Sequence, residues 1–355
     1  MLKGSLAKKG YDWWWHSFTA RHNKTNEEKA FYIEYYITNP KLSPEKVVLG
    51  QANPENLPSY VMINVGTWGK DKKQVHQFYP VSEFKYDAKT NEFTVGECFY
   101  SESHIKGIVR ATKAEANNKA YLTDEGHISW DLKVNKQIAY NVGYGANRFF
   151  RWLKAFEMFW HAEGIKALYS GEIIIDGEKY IATEDTSYGY QDKNWGKDFT
   201  SPWLWISSCN LYSKKLNKQL SNSAIELGGG TPKVFKIPIK RKILIGIYYE
   251  GEMIEFNFSK FWNKSNVSFN FSTDEENGLW FVKASNRKYN IDLELKCHLK
   301  DMLMINYESP DGYKRHNNLY NGGTGFGSLK IFSRDGNLID DIIITHAGCE
   351  YGEYN

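Results

Sequence analysis

Four cysteines, at positions 98, 209, 297 and 349, are few for a chain of 355 residues. None forms a CxxC pair, so neither a disulfide framework nor a cysteine metal knuckle is expected. No stretch approaches the roughly 18 apolar residues of a membrane-crossing helix. The first ten residues hold lysines but no apolar run of the kind a secretory leader carries. Neither sign of charge prevails: 45 Lys and Arg face 42 Asp and Glu, a formal net charge of +3. That balance argues against a dedicated nucleic-acid binder. A reduced, cytoplasmic setting fits these absences. The abundance of Lys, Asn and Ile reads as an AT-rich bacterial coding bias.

Familiar catalytic and cofactor motifs are missing as well. Gly228-Gly229-Gly230 lacks the Lys-Ser/Thr of a phosphate-binding loop, and Gly322-Gly323-Thr324-Gly325-Phe326-Gly327 lacks dinucleotide-binding spacing. Both runs are expected to be bulges, turns or close backbone contacts. No GxSxG elbow occurs, and the nine histidines form neither HExxH nor a close ligand pair. No cofactor or metal is expected, although a site built from distant residues stays open.

Aromatic residues are plentiful instead, at 16% of the chain. Pairs that favour positive φ recur between segments rich in β-branched and aromatic residues: Asp176-Gly177, Glu250-Gly251, Asn277-Gly278 and Asp335-Gly336. In one such segment Phe31, Ile33, Tyr35 and Ile37 share a face, with Glu34 on the other. The pattern indicates an all-β chain of antiparallel sheets closing into barrels or sandwiches, with little helix. The best helical candidate is Asn147 to Phe159, through Phe149, Phe150, Leu153 and Phe156, although an aromatic strand fits it too. Two halves are expected, 1–185 and 186–355, packed through an extensive interface.

Three segments can carry chemistry: Tyr11-Asp12-Trp13-Trp14-Trp15-His16, then Phe156 to Glu163 with Trp160 and His161, then Tyr188 to Gly196. The last leads into the aromatic strand Trp203-Leu204-Trp205-Ile206. On a strand, Tyr190, Asp192 and Asn194 share one face and Gln191, Lys193 and Trp195 the other. An acid in an apolar aromatic cavity keeps its proton to higher pH, because burial disfavours the charge. Rings around it stabilise a positive centre by about 2 kcal/mol per good dry contact. Those parts suffice to protonate an alkene and guide the resulting cation. Structural readings stand beside this one. Asp192 and Asn194 can close a turn at a barrel mouth, His161 can be a hydrogen-bonded core residue, and Trp13–Trp15 can simply pack.

Tyr190-Gln191-Asp192-Lys193-Asn194-Trp195-Gly196 resembles the Tyr-x-Glu-Lys-Asn-Trp-Gly segment of tocopherol cyclases. Gly10 to Trp15, the hairpin Gly171 to Tyr180 and the strand Gly325 to Ile331 resemble other family segments in the same order. The resemblance runs from about residue 10 to 352. It implies two lipocalin-like β-barrel halves around an apolar pocket, and kinship with carotenoid 1,2-hydratases and lipocalin-like Diels–Alderases. It makes Asp192 the general acid, hydrogen-bonded by Tyr190 and oriented or recharged by His161. Trp13, Trp14, Trp15, Trp160, Asn194, Trp195 and Trp205 are the expected substrate contacts. The implied activity is acid-catalysed cyclisation of a prenylated or polyene substrate, an isomerase or lyase reaction, with hydration of an isoprenoid double bond as a variant. A non-catalytic carrier of a hydrophobic small molecule is the reading from another class. The expected partner is a prenyl quinol, polyene or terpenoid, with peripheral membrane contact for substrate pick-up left open.

Overall fold

The computed structural model describes residues 2–50, 57–140, 153, 156–235, 237–240, 242–258, 260, 264–305, 308–312 and 319–353. Among them the chain is almost entirely antiparallel strand, with one short α-helix, Lys113–Ala116, and brief 3-10 turns. Two large barrel-like sheets carry the fold, one of 12 strands and one of 11. The all-β expectation holds. Most of the Asn147–Phe159 candidate helix lies outside the described residues, and from Met158 the chain runs as the long strand Met158–Ile175.

Three of the four turn signals make hairpins. Asp176-Gly177, Glu250-Gly251 and Asp335-Gly336 each join consecutive antiparallel strands, with positive φ at one or both positions. Asn277-Gly278 does not. It lies inside the strand Asn277–Ser285, because the Asp274 carboxylate makes the turn itself by accepting the N–H groups of Glu276 and Asn277.

The first sheet extends past the expected join at 185/186. The strand Gly189–Gly196 hydrogen-bonds to Tyr11–His22 on one side and to Met158–Ile175 on the other. The chain changes sheets between Gly196 and Trp203, where the strand Trp203–Ser208 enters the second sheet.

Side-chain alternation then sorts the rings. Trp14 and Phe18 point into the first barrel, Trp14 against Phe93 and Tyr100 and Phe18 against Phe31 and Tyr169. Trp13, Trp15, Tyr32 and Tyr36 point the other way, into a third buried cluster that also takes Trp160, Tyr190 and Trp205. That cluster lies between the two sheets. The two glycine runs seat first-sheet indoles there. A Cβ on Gly228 would lie 2.8 Å from the Trp160 ring, and one on Gly323 would lie 2.1 Å from the Trp68 ring. Gly322–Gly325 is also a bulge in its strand. Both runs therefore make the close contacts expected of them, and the second is also a bulge.

Candidate active site

Between the sheets lies a cavity lined from the first sheet by Trp13, Trp15, Met158, Asp192 and Asn194. Trp203, Trp205, Asn321 and Glu350 line it from the second, and Phe199 and Thr200 from the connection. It encloses ≈490 Å³ of non-atom space, mouth included, but a water-sized sphere can be centred in only ≈40 Å³ of it. That is room for about three waters.

Register fixes the polar wall. Trp15 lies opposite Asp192 and Trp13 opposite Asn194, while Trp160 faces Asn194 from the other neighbouring strand. Asp192 is 7% exposed. Its Oδ2 accepts the indole N–H of Trp160 at 2.7 Å and the hydroxyl of Tyr190 at 2.9 Å. Its Oδ1 is buried without a hydrogen-bond partner. Burial pushes the carboxyl up to about 7, against the lowering effect of those two donors and with help from the charges of Glu163 and Glu350.

Two more buried acids, Glu226 and Glu34, lie close by without lining the cavity. Glu226 accepts the Trp205 indole N–H at 2.9 Å and lies 3.0 Å from the Tyr190 hydroxyl. Burial, then the charge of Asp192, raise it well above the usual carboxylate range. Glu34, opposite Trp15, accepts the amide of Asn64. Burial pushes it up to about 8, with Glu350 and Asp192 adding to the effect. Every hydrogen-bond donor described for Asp192, Glu226 and Glu34 is neutral. Buried acids with only neutral donors among the described residues are held toward the protonated form. At the far wall, the Trp68 indole N–H holds the Asn321 oxygen at 2.9 Å, and the Asn321 amide donates to Glu350 at 2.6 Å.

The expected site residues divide by strand face. Trp13, Trp15, Asp192, Asn194 and Trp205 line the cavity. Tyr190 and Trp160 lie behind Asp192 and reach it by hydrogen bond. Trp14, Trp195 and His161 do not reach the cavity. Trp14 fills the first barrel under the Lys193 ammonium, 3.6 Å from the ring centroid. Trp195 stacks on Phe159. His161 pairs in register with Lys193 and so points to the sheet face opposite Trp160 and Asp192. Its side chain is therefore directed away from Asp192. Lys193 is ion-paired with Asp12 on that opposite face, not with Asp192.

Glu226, Asn321 and Glu350 were not anticipated. The available signal was a lone acid within a strand of otherwise apolar and glycine residues, Ala224–Gly230.

A buried acid facing an aromatic cavity between two antiparallel barrel-like sheets defines a two-barrel, lipocalin-like class of protein. The tocopherol cyclase-like family matches residues 14–350, and the chain belongs to it. Kievitone hydratase from Nectria haematococca shares the fold, with a TM-score of 0.54 at 13% identity over 100% of this chain and 93% of that one. An AttH candidate from Nitrosomonas europaea gives a TM-score of 0.50 at 11% identity, over 97% and 92%. No curated protein matches the sequence.

Proposed function

We propose that the chain is an enzyme in which Asp192 protonates a carbon–carbon double bond of a prenylated or polyene substrate held between the sheets. The observation that carries this reading is the Asp192 Oδ1, buried without a hydrogen-bond partner, on a carboxyl that lines an aromatic cavity and forms no ion pair among the described residues. The acid gives its proton to one alkene carbon, and the π pair forms the new C–H bond. The cation left on the more substituted carbon faces the rings of Trp13, Trp15 and Trp205, worth about 2 kcal/mol per good contact. A substrate hydroxyl then closes a ring through a new C–O bond, and its proton returns to the Asp192 carboxylate. Acid and substrate atoms both balance.

Hydration is the second reading. It differs only in the nucleophile, and the free space of a few waters beside Asp192 favours it. The printed name of one structural neighbour, a hydratase, accords with it. A carrier would need the rings but has no use for a buried acid that pairs with no cation among the described residues. The free space is far below the roughly 300 Å³ of ordinary small-molecule pockets, so a substrate of this size must displace rim side chains such as Phe199 and Trp203.

Incubation with a prenyl quinol, followed by chromatography and mass spectrometry, separates these readings. Ring closure yields an isomer of unchanged mass, hydration adds one water, and a carrier returns its ligand unaltered. Asp192→Asn is expected to lower turnover by about a thousandfold, the scale of losing a positioned proton donor. Unchanged turnover in that variant removes Asp192 as the acid.

A further inference from the structure

The Tyr190 hydroxyl sits between two carboxyls, 2.9 Å from Asp192 Oδ2 and 3.0 Å from Glu226 Oε1. It has one hydrogen to give. If both acids were ionised, one of these contacts would join two lone pairs with no proton between them. At least one of the two carboxyls must therefore hold a proton that Tyr190 accepts. The surroundings are built for such a chain. Each carboxyl oxygen that touches Tyr190 also receives one indole N–H, from Trp160 on Asp192 and from Trp205 on Glu226. The two acids come from different sheets, on Gly189–Gly196 and Ala224–Gly230, and the phenol bridges them. Only Asp192 lines the cavity, so Glu226 can act on a substrate only through Tyr190 and Asp192.

We propose that Asp192 and Glu226 share a proton through the Tyr190 hydroxyl and work as one acid, with Glu226 a positioning residue that keeps a proton available to Asp192. The exchange conserves every atom. A proton on Glu226 Oε1 passes to the Tyr190 oxygen as the Tyr190 proton passes to Asp192 Oδ2, leaving Glu226 ionised and Asp192 neutral. The reverse hop restores the start. Other titratable groups act on this pair. Glu163 and Glu350 lie near Asp192 and oppose its ionisation, while the charge of Asp192 opposes that of Glu34. Glu163 is itself paired with Lys136. Tyr169 and Tyr140 lie near Asp192 and Glu226 respectively. The inference rests on Asp192 being the acid of the proposed reaction, but the shared proton is measurable without any substrate.

The test is infrared titration of protonated-carboxyl C=O bands in the full-length protein, comparing wild type with D192N, E226Q and Y190F, and near-UV circular dichroism as the check on folding. Two interacting carboxyls titrate as a pair, and the last proton is held to higher pH than either acid holds it alone. E226Q and D192N are each expected to lower the pH at which the last proton leaves by at least about one unit. Y190F keeps both acids and is expected to narrow the pH interval over which the pair holds a single proton. With a turned-over substrate, the alkaline limb of the rate profile of E226Q moves to lower pH, a change that loosened packing would not produce. An unmoved last-proton midpoint in folded E226Q overturns the shared proton, and an unaltered interval in Y190F overturns the route. If coupling is absent while D192N is inactive, Asp192 is a solitary acid and the proposed function stands. If coupling is present while D192N turns over, the shared proton stands and the proposed function fails.

Discussion

The interior of the second barrel and the space between the two sheets are buried alike and built oppositely. Inside the barrel the cluster is Leu, Ile, Val and Ala, with Phe256, Trp280 and Tyr351 its few buried rings among the described residues. Between the sheets the cluster is mostly Trp, Tyr and Phe. The same strands supply both. Ile225 and Leu227 point into the barrel while Glu226 points out, Leu204 and Ile206 point in while Trp205 points out, and Cys349 and Tyr351 point in while Glu350 points to the cavity. The outer face of a barrel is ordinarily solvated and carries polar residues. Here the first sheet covers part of it, so acids of the kind a solvated face carries are taken out of water. Burial there disfavours the ionised form, and Glu226 is raised well above the usual carboxylate range.

Truncating an aliphatic side chain inside the barrel should show what that region does. Leu329 is fully buried there. Leu329→Ala is expected to cost roughly 2–5 kcal/mol of unfolding free energy in urea. Turnover per folded molecule should stay unchanged, and the cost should be the same at pH 5 and pH 8. A pH-dependent cost would mean that the two regions are not separate in function.

Removing charge between the sheets should act in the opposite direction. Asp192 and Glu34 are raised from ordinary carboxylate values to about 7 and about 8, so the folded chain binds more protons than the unfolded one across that window. The stability these two acids contribute is therefore full below about pH 4 and is lost as pH rises toward 8, since the slope follows the excess of protons in the folded state. Asp192→Asn mimics the protonated acid. It should stabilise the protein at pH 8 by roughly 2 kcal/mol or more while removing activity, and by little at pH 4. Chemical denaturation at the two pH values checks this, and a variant less stable than wild type at pH 8 would contradict it.

The seam between the regions can be loosened with one methyl group. Gly228 leaves room for the Trp160 ring, whose N–H reaches Asp192. Gly228→Ala should cost about 1–3 kcal/mol through overpacking. It should also lower turnover, because the displaced indole no longer holds Asp192 Oδ2. Normal turnover in the folded variant would detach the glycine seat from the acid.

How much of this was legible in the residues follows from which forces are local. Asp176-Gly177 and Asp335-Gly336 announce hairpins because the turn's positive φ is written into the pair that makes it. Asn277-Gly278 misleads because Asp274, upstream of the pair, makes the turn. Asp192 stood out as an acid among rings on an alternating strand, and the same alternation put its partner Tyr190 and its neighbour Asn194 on one face with it. Glu226 did not stand out, because an acid pointing out of a barrel reads as solvated unless the second sheet covering it is known. Alternation likewise sends Trp13 and Trp15 to one face and Trp14 to the other. Only packing decides that the pair takes the cavity and the single ring the barrel core.

His161 gives the smallest expected effect and the sharpest check on that face assignment. It follows Trp160 directly in the chain, so an account based on nearness in sequence makes it a partner of Asp192. The register places it opposite Lys193, with its side chain on the far face from the acid. If the sheet holds that alternation in solution, His161→Ala should change turnover by less than about threefold, far from the hundredfold or more that losing a general acid–base group brings. Its rate profile should keep the same alkaline limb, because Asp192 draws its hydrogen bonds from Trp160 and Tyr190. A hundredfold loss, or a shifted limb, would mean that the Met158–Ile175 strand slips by one residue when substrate binds. A slip of one residue exchanges every side chain between the two faces of a strand, which would bring His161 to the acid and take Trp160 away from it.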